Sequence, residues 1–267
     1  MKVNEKKCKS ILSESGIYDV DYSINPYVGC EHGCKYCYAT FMKRFTNHSE
    51  DWGEFVDVKT NSINVLEKDL MKKGKGSILL SSVTDPYQPL EEKYKLTRKI
   101  LMRLSNSKFT VNILTKSNLI LRDIDILKKF NPERISVGLT INFLDDRDRE
   151  IWEPKSAKIH DRIETLEKLS KADIDCYVHV GPYLEGITDL NKIFTEIESY
   201  VEEFQVEGIN LKENEGKIMK TIKEHYPHLK ENYEAILKDR PSYLRKLKEK
   251  TRKLKKISSI PISLFLD

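Results

Sequence analysis

A chain of 267 residues can build one large hydrophobic core or two small ones. Its 39% hydrophobic and 33% charged residues suit a globular protein with a well-charged surface, and no apolar run is long enough to span a bilayer. The 46 basic and 42 acidic residues leave a net charge of +4, too little by itself to argue for nucleic acid; with no signal-peptide pattern, a cytoplasmic location is expected.

In chain order, residues 23–28 are the first candidate strand, followed at once by three crowded cysteines. Apolar runs rich in Val and Ile then predict buried strands at 77–83 (SILLSSV), 109–114 (FTVNIL), 134–141 (RISVGLTI), 176–180 (CYVHV) and 208–211 (GINL). Between them, apolar residues at helical spacing predict helices over 91–105, 121–130, 158–172 and 189–204. Alternating strand and helix imply βα units and a largely buried parallel sheet. Six units are too few for a closed eight-unit barrel, so the expected fold is a partial (β/α)6 TIM-like barrel, with a doubly wound sheet as the other candidate. After about residue 214 the pattern turns helical and basic (RPSYLRKLKEKTRKLKK, 240–256), ending in ISSIPISLFL at 257–266 as one more candidate strand. The organisation expected is an N-terminal extension over 1–20, a barrel over 21–214 and a helical extension over 215–267. The basic run reads either as a solvated helix face or as a phosphate-contacting surface.

In a parallel architecture, functional groups gather at the C-terminal ends of the strands. Polar, Gly- or Pro-containing clusters follow nearly every strand here: 25–37, Thr84-Asp85-Pro86, Thr115-Lys116-Ser117, Asn142, Gly181-Pro182 and Lys212-Glu213-Asn214.

The five cysteines are Cys8, Cys30, Cys34, Cys37 and Cys176. An odd number, three of them crowded, argues for metal binding over a disulfide framework. Cys30, Cys34 and Cys37 have the spacing C-x3-C-x2-C, with Gly29 and Gly33 directly before the first two. As one buried helix face the segment would carry two interior glycines, each costing about 1 kcal/mol. Structural zinc wants four ligands, and no second C-x2-C exists, although Cys8, His32 or His48 are available as a fourth. Three thiolates without an obvious fourth suit an iron–sulfur cluster with one iron left open.

The segment NPYVGCEHGCKYCYAT, with Tyr36 just before the last cysteine, resembles the signature of the radical S-adenosylmethionine superfamily. That resemblance implies a [4Fe-4S] cluster on Cys30, Cys34 and Cys37, whose open iron chelates S-adenosylmethionine. The reduced cluster then cleaves the cofactor to methionine and a 5′-deoxyadenosyl radical, using an external electron donor. SSVTDPYQPLE, ILTKSNLILRDIDIL and EP…DRIETLEKLSKADI extend the similarity, over about 22–186, to the spore photoproduct lyase-like branch. By that resemblance Tyr36 lies near the adenine, Lys116 meets the cofactor carboxylate, and Ser82 and Asp85 lie by its amino group. Thr140 bonds the ribose, while Arg162 either holds the carboxylate or supports Glu153. The branch's hydrogen-donating cysteine has no counterpart in Ser81-Ser82-Val83-Thr84-Asp85, which puts photodimer repair in doubt; Cys176 reads either as a small buried core residue or as the candidate donor in its place. His179 is a candidate for pointing into the barrel. The function expected is a radical enzyme of unidentified substrate, with nucleic acid as a candidate. The other reading is a nucleic-acid-binding protein with a structural iron–sulfur or zinc site.

Overall fold

The computed structural model describes residues 1–211 and 214–266; Lys212 and Glu213 of the last strand-end cluster lie outside the described residues. Eleven strands are found among them: β1 (Lys2–Lys6), β2 (Leu12–Glu14), β3 (Tyr22–Ile24), β4 (Tyr27–Val28), β5 (Phe55–Lys59), β6 (Ser77–Leu80), β7 (Thr110–Thr115), β8 (Ile135–Thr140), β9 (Cys176–Tyr183), β10 (Glu203–Gly208) and β11 (Ile262–Phe265). Eight form one sheet in the order β11-β10-β9-β8-β7-β6-β3-β2. Every neighbouring pair from β3 to β11 is parallel, and β2 lies antiparallel on the β3 edge. The sheet is open, with helices on its outer face: the partial barrel expected from the strand–helix alternation.

A small second sheet, β1-β5-β4, was not foreseen. Its central strand, FVDVK, alternates too briefly to stand out, and β4 is two residues cut from the end of the first candidate strand. The sequence also misplaced β10. The predicted helix over 189–204 stops at Ile197, and the strand begins at Glu203 rather than at residue 208. Phe204 and Val206 are fully buried on one face, while Glu203, Gln205 and Glu207 share the other.

The helix predicted over 91–105 is two, Leu90–Tyr94 and Leu96–Leu104, broken at Lys95 with φ 52°. Glu91 causes the break: its carboxylate reaches forward to accept from Thr97 N (3.0 Å) and Arg98 N (3.2 Å), capping the second helix. Helix Ile159–Ser170 buries Ile159, Arg162, Leu166 and Leu169 at helical spacing, which sends one arginine into the core. In the C-terminal part, helix Arg240–Lys255 buries Tyr243, Leu247, Thr251 and Leu254 and is capped by Asp239. Arg240, Ser242 and Leu244 are half-buried, while Arg245, Lys246, Lys248, Arg252 and Lys255 are among its exposed positions. Among the described residues no helix is long and apolar enough to cross a membrane.

Candidate active site

Residues from the C-terminal ends of β6, β7, β8, β9 and β10, together with the cysteine loop, wall one cavity of about 850 Å³, part of it open to solvent. The loop leaves β4 through Gly29 (φ +90°) and turns again at Gly33 (φ +60°), backbone angles that favour glycine. A Cβ on Gly29 would lie 2.4 Å from the Phe55 carbonyl oxygen, so side chain and loop path cannot coexist there. Distant elements pin the curl: Lys35 N donates to Trp152 O (2.8 Å), Glu31 N to Gln88 Oε1 (3.0 Å) and Thr84 Oγ1 to Gly29 O (2.6 Å). Asn214 Nδ2 donates to Cys37 O.

All three loop thiols face this cavity. Burial pushes them up, Cys34 to about 12, and each also feels its neighbours' charge. Left bare, such a set stays protonated; a cationic metal centre would favour the thiolates. Among the described residues no His, Cys, Asp or Glu side chains are gathered tightly enough to chelate a single metal ion. The thiols therefore surround a common cavity rather than a common point. Of the candidate fourth ligands, Cys8 and His48 are absent from the cavity wall, with His48 stacked on Phe55 and held by Asp57. His32 is on the wall, its Nδ1 3.4 Å from Asp85 Oδ2. Three soft donors on one concave loop fit an iron–sulfur cluster, which Cys30, Cys34 and Cys37 would hold.

Behind the loop lies a buried polar network. Glu153 and Arg162 are both fully buried and paired. Glu153 also accepts from Tyr36 OH and from Asn142 Nδ2 (3.1 Å). Asn142 locks the floor by donating to Tyr36 Oη (2.9 Å) and Gly181 O (3.1 Å) while accepting from Gly181 N (2.8 Å). Arg162 donates to Thr140 O (2.8 Å) and Ala157 O (3.0 Å), tying the end of β8 to its own helix.

Lys116 sits at the centre of the wall, with Nζ 3.4 Å from Thr140 Oγ1 and 5.8 Å from the Tyr36 ring centroid. Burial lowers its pKa, but the negative charge available on Cys34, Glu153 and Asp85 outweighs that and raises it. Asp85 is turned into the structure: Oδ1 accepts from Thr115 Oγ1 (2.6 Å) and Tyr87 N (2.8 Å), and Oδ2 from Lys116 N (2.8 Å). Against burial, which acts the other way, the His32 imidazole and these bonds hold its carboxyl at about 2. Asn25 Nδ2 donates to Ser82 Oγ (3.1 Å).

The structure thus brings Cys30, Cys34, Cys37, Tyr36, Ser82, Asp85, Lys116 and Thr140 to one wall, joined by His179. Two predicted residues are elsewhere. Arg162 lies behind the wall, its guanidinium committed to Glu153, Thr140 and Ala157. Cys176 opens β9 at the end away from the cavity, on the strand face opposite His179, where its thiol donates to Ile174 O (3.2 Å). Sequence reasoning missed Glu207, which lines the cavity beside His179. The alternation in EFQVEG carried the signal.

The family model described as the Radical SAM superfamily matches residues 24–197. An uncharacterized protein of Methanocaldococcus jannaschii is 35% identical over 250 residues, 94% of this chain and 92% of that protein. The radical SAM Nalpha-GlyT isomerase of Pseudomonas phage M6 is 25% identical over 176 residues, 64% of this chain and 36% of the isomerase. A solved spore photoproduct lyase variant with bound AdoMet and dinucleoside spore photoproduct has the same fold. It aligns with a TM-score of 0.65 and 15% identity, over 84% of this chain and 66% of that chain.

Proposed function

Because the chain belongs to the radical S-adenosylmethionine superfamily and is an enzyme of that kind, we propose that Cys30, Cys34 and Cys37 hold a [4Fe-4S] cluster and that the cavity beside them is where substrate reacts. When bound there and reduced by an external donor, the cluster supplies the electron that splits S-adenosylmethionine into methionine and a 5′-deoxyadenosyl radical, which takes a hydrogen atom from the substrate.

The observation that carries this reading is the shared wall: three thiols, Lys116, Thr140 and Tyr36 on one concave surface at the strand ends. Lys116 is the wall's ammonium and suits the cofactor carboxylate, in a charge-assisted hydrogen bond. Thr140 and Ser82 offer hydroxyls for the ribose and the amino group. Both oxygens of Asp85 are already occupied, so its role is to hold Lys116 and the β6 loop in place. Arg162 positions the wall through Glu153, which fixes Tyr36, and through the Thr140 carbonyl.

The substrate class we favour is nucleic acid. Helix Arg240–Lys255 supports it: Arg245, Lys246, Lys248, Arg252, Lys253 and Lys255 are exposed on it with Glu249 as the helix's one acidic residue, while Lys250 is paired with Glu185. Its Tyr243 donates to Tyr183 O at the end of β9, which sets the basic helix beside the strand ends.

Anaerobic reconstitution, iron and sulfide analysis, and EPR of the reduced protein with and without S-adenosylmethionine test the assignment. A spectrum that changes on adding the cofactor, with 5′-deoxyadenosine formed, is expected. No 5′-deoxyadenosine from protein with a verified reduced cluster overturns it. Salt-dependent DNA binding in that case would leave a nucleic-acid-binding protein with a structural iron–sulfur or zinc site.

A further inference from the structure

In the same cavity as the cysteines, β9 and β10 present a polar ladder that the radical chemistry does not use. Glu203, Gln205 and Glu207 occupy one face of β10, and the strand register sets Gln205 beside His179 of β9. Gln205 Nε2 donates to Glu203 Oε2 (2.9 Å), so its amide oxygen is the atom facing His179 Nδ1 at 3.2 Å. Nδ1 must therefore carry a proton. His179 Nε2 lies 3.1 Å from Glu207 Oε2, and that hydrogen bond needs one further proton, whichever atom holds it. Counted this way, the His179–Glu207 pair is electrically neutral.

Gly181 makes the arrangement possible. A Cβ there would stand 2.0 Å from His179 Nε2 and 2.9 Å from Glu207 Oε2, so the pair rests directly on the glycine. The other carboxylate on the cavity wall, Asp85, has both oxygens occupied by donors. Glu207 Oε1 makes no hydrogen bond among the described residues, and its side chain keeps 31% exposure at the cavity. Lys116 and Tyr38 line the same cavity and feel the charge of this carboxylate, and the Phe265 ring lies 6.4 Å from His179. A cationic ligand would meet both a neutral pair and the Lys116 ammonium. A neutral N–H donor meets an acceptor oxygen already held in place.

We propose that Glu207 Oε1 orients the substrate by accepting a hydrogen bond from an N–H donor on a nucleobase edge, and that His179 holds Glu207 in position. The assignment rests on the reading of the cavity as the reaction site of a nucleic-acid-directed radical enzyme. It makes Glu207 a specificity-determining residue and His179 a positioning residue.

The test uses reconstituted holoenzyme with S-adenosylmethionine and 15N-labelled histidine, titrated separately with thymidine, deoxycytidine, deoxyadenosine and deoxyguanosine. The His179 ring resonances, assigned by their loss in His179→Gln, should shift with at least one nucleoside. Its Kd should rise about tenfold in Glu207→Leu, the loss of one hydrogen bond. In Glu207→Gln, whose amide oxygen still accepts, the Kd should stay within about threefold. Gly181→Ala, which displaces the imidazole and leaves Glu207 present, should weaken the same nucleoside by about tenfold. No shift with any of the four nucleosides, or equal affinity in Glu207→Leu, overturns the assignment. 5′-Deoxyadenosine assayed on the same preparation keeps the two readings apart. Its formation without a nucleoside effect refutes Glu207 alone, whereas Glu207-dependent binding without it supports Glu207 and refutes the radical chemistry.

Discussion

Removing the Arg162 guanidinium should cost about 3–5 kcal/mol and leave a pH signature that identifies the cause. Arg162→Met takes the paired counter-charge from Glu153, which is fully buried and keeps Tyr36, Asn142 and Ser156 as hydrogen-bond partners and the more distant Lys116 as its remaining cation. The carboxylate escapes by taking up a proton. From an ordinary value of 4.5, that uptake costs about 3.4 kcal/mol at pH 7. The carbonyls of Thr140 and Ala157 also lose a donor, adding about 1 kcal/mol or more. At pH 5 the proton costs about 0.7 kcal/mol, so most of the charge penalty disappears. The sign follows from the linkage. In the wild type the charge on Arg162 outweighs burial and lowers Glu153, giving stability that is present above its unfolded value and lost in acid. In the variant Glu153 is raised, and stability falls as pH rises. Urea unfolding of the cluster-free chain, followed through Trp152 beside Tyr36, measures this directly. The loss at pH 7 should correspond to roughly 6–20 °C in Tm, and adding Glu153→Gln should restore about 2–3 kcal/mol. A penalty under about 1 kcal/mol, or one equal at pH 5 and pH 7, would refute the buried-charge argument.

Asp85→Asn should cost up to about 2.4 kcal/mol at pH 7, since the folded carboxyl sits at about 2 against an ordinary 3.8. That contribution is present above pH 4 and lost toward pH 2, so urea midpoints of the two proteins should converge on acidification. Gly29→Val places a side chain against the Phe55 carbonyl at a φ of +90°, a strain of about 1–3 kcal/mol on the loop. Its iron content after reconstitution should fall by at least about half while far-ultraviolet circular dichroism stays native. Cys176→Ala should lose about 1 kcal/mol of stability but keep full iron loading and 5′-deoxyadenosine formation. A large loss of product there would return Cys176 to the reaction.

The sequence made the cysteine loop readable because its chemistry is local: three thiols and two glycines within nine residues determine both curl and donor set. The parallel sheet was readable through its continuous apolar strands. Glu207 was hidden by a boundary error, since placing β10 five residues late left Gln205 and Glu207 in the gap between a predicted helix and a predicted strand. Arg162 and Glu153 appeared as a motif whose two roles no spacing could separate; burial of both side chains decided for the pair. That Cys176 lies at the far end of β9 was not legible, because a strand's composition says nothing of which end meets the cavity. Pairing supplies that.

The pins on the cysteine loop also set an order of events. Cys30, Cys34 and Cys37 leave the ribosome early, yet their scaffold arrives late: Lys35 N waits for Trp152 O, and Cys37 O waits for Asn214. For more than half of its synthesis the nascent polypeptide carries a thiol tripod with no frame. Contacts of such long sequence separation form after the loop-closure entropy of the intervening barrel has been met. Metal delivery during translation would therefore meet a floppy chelator, whereas delivery after release meets a moulded one.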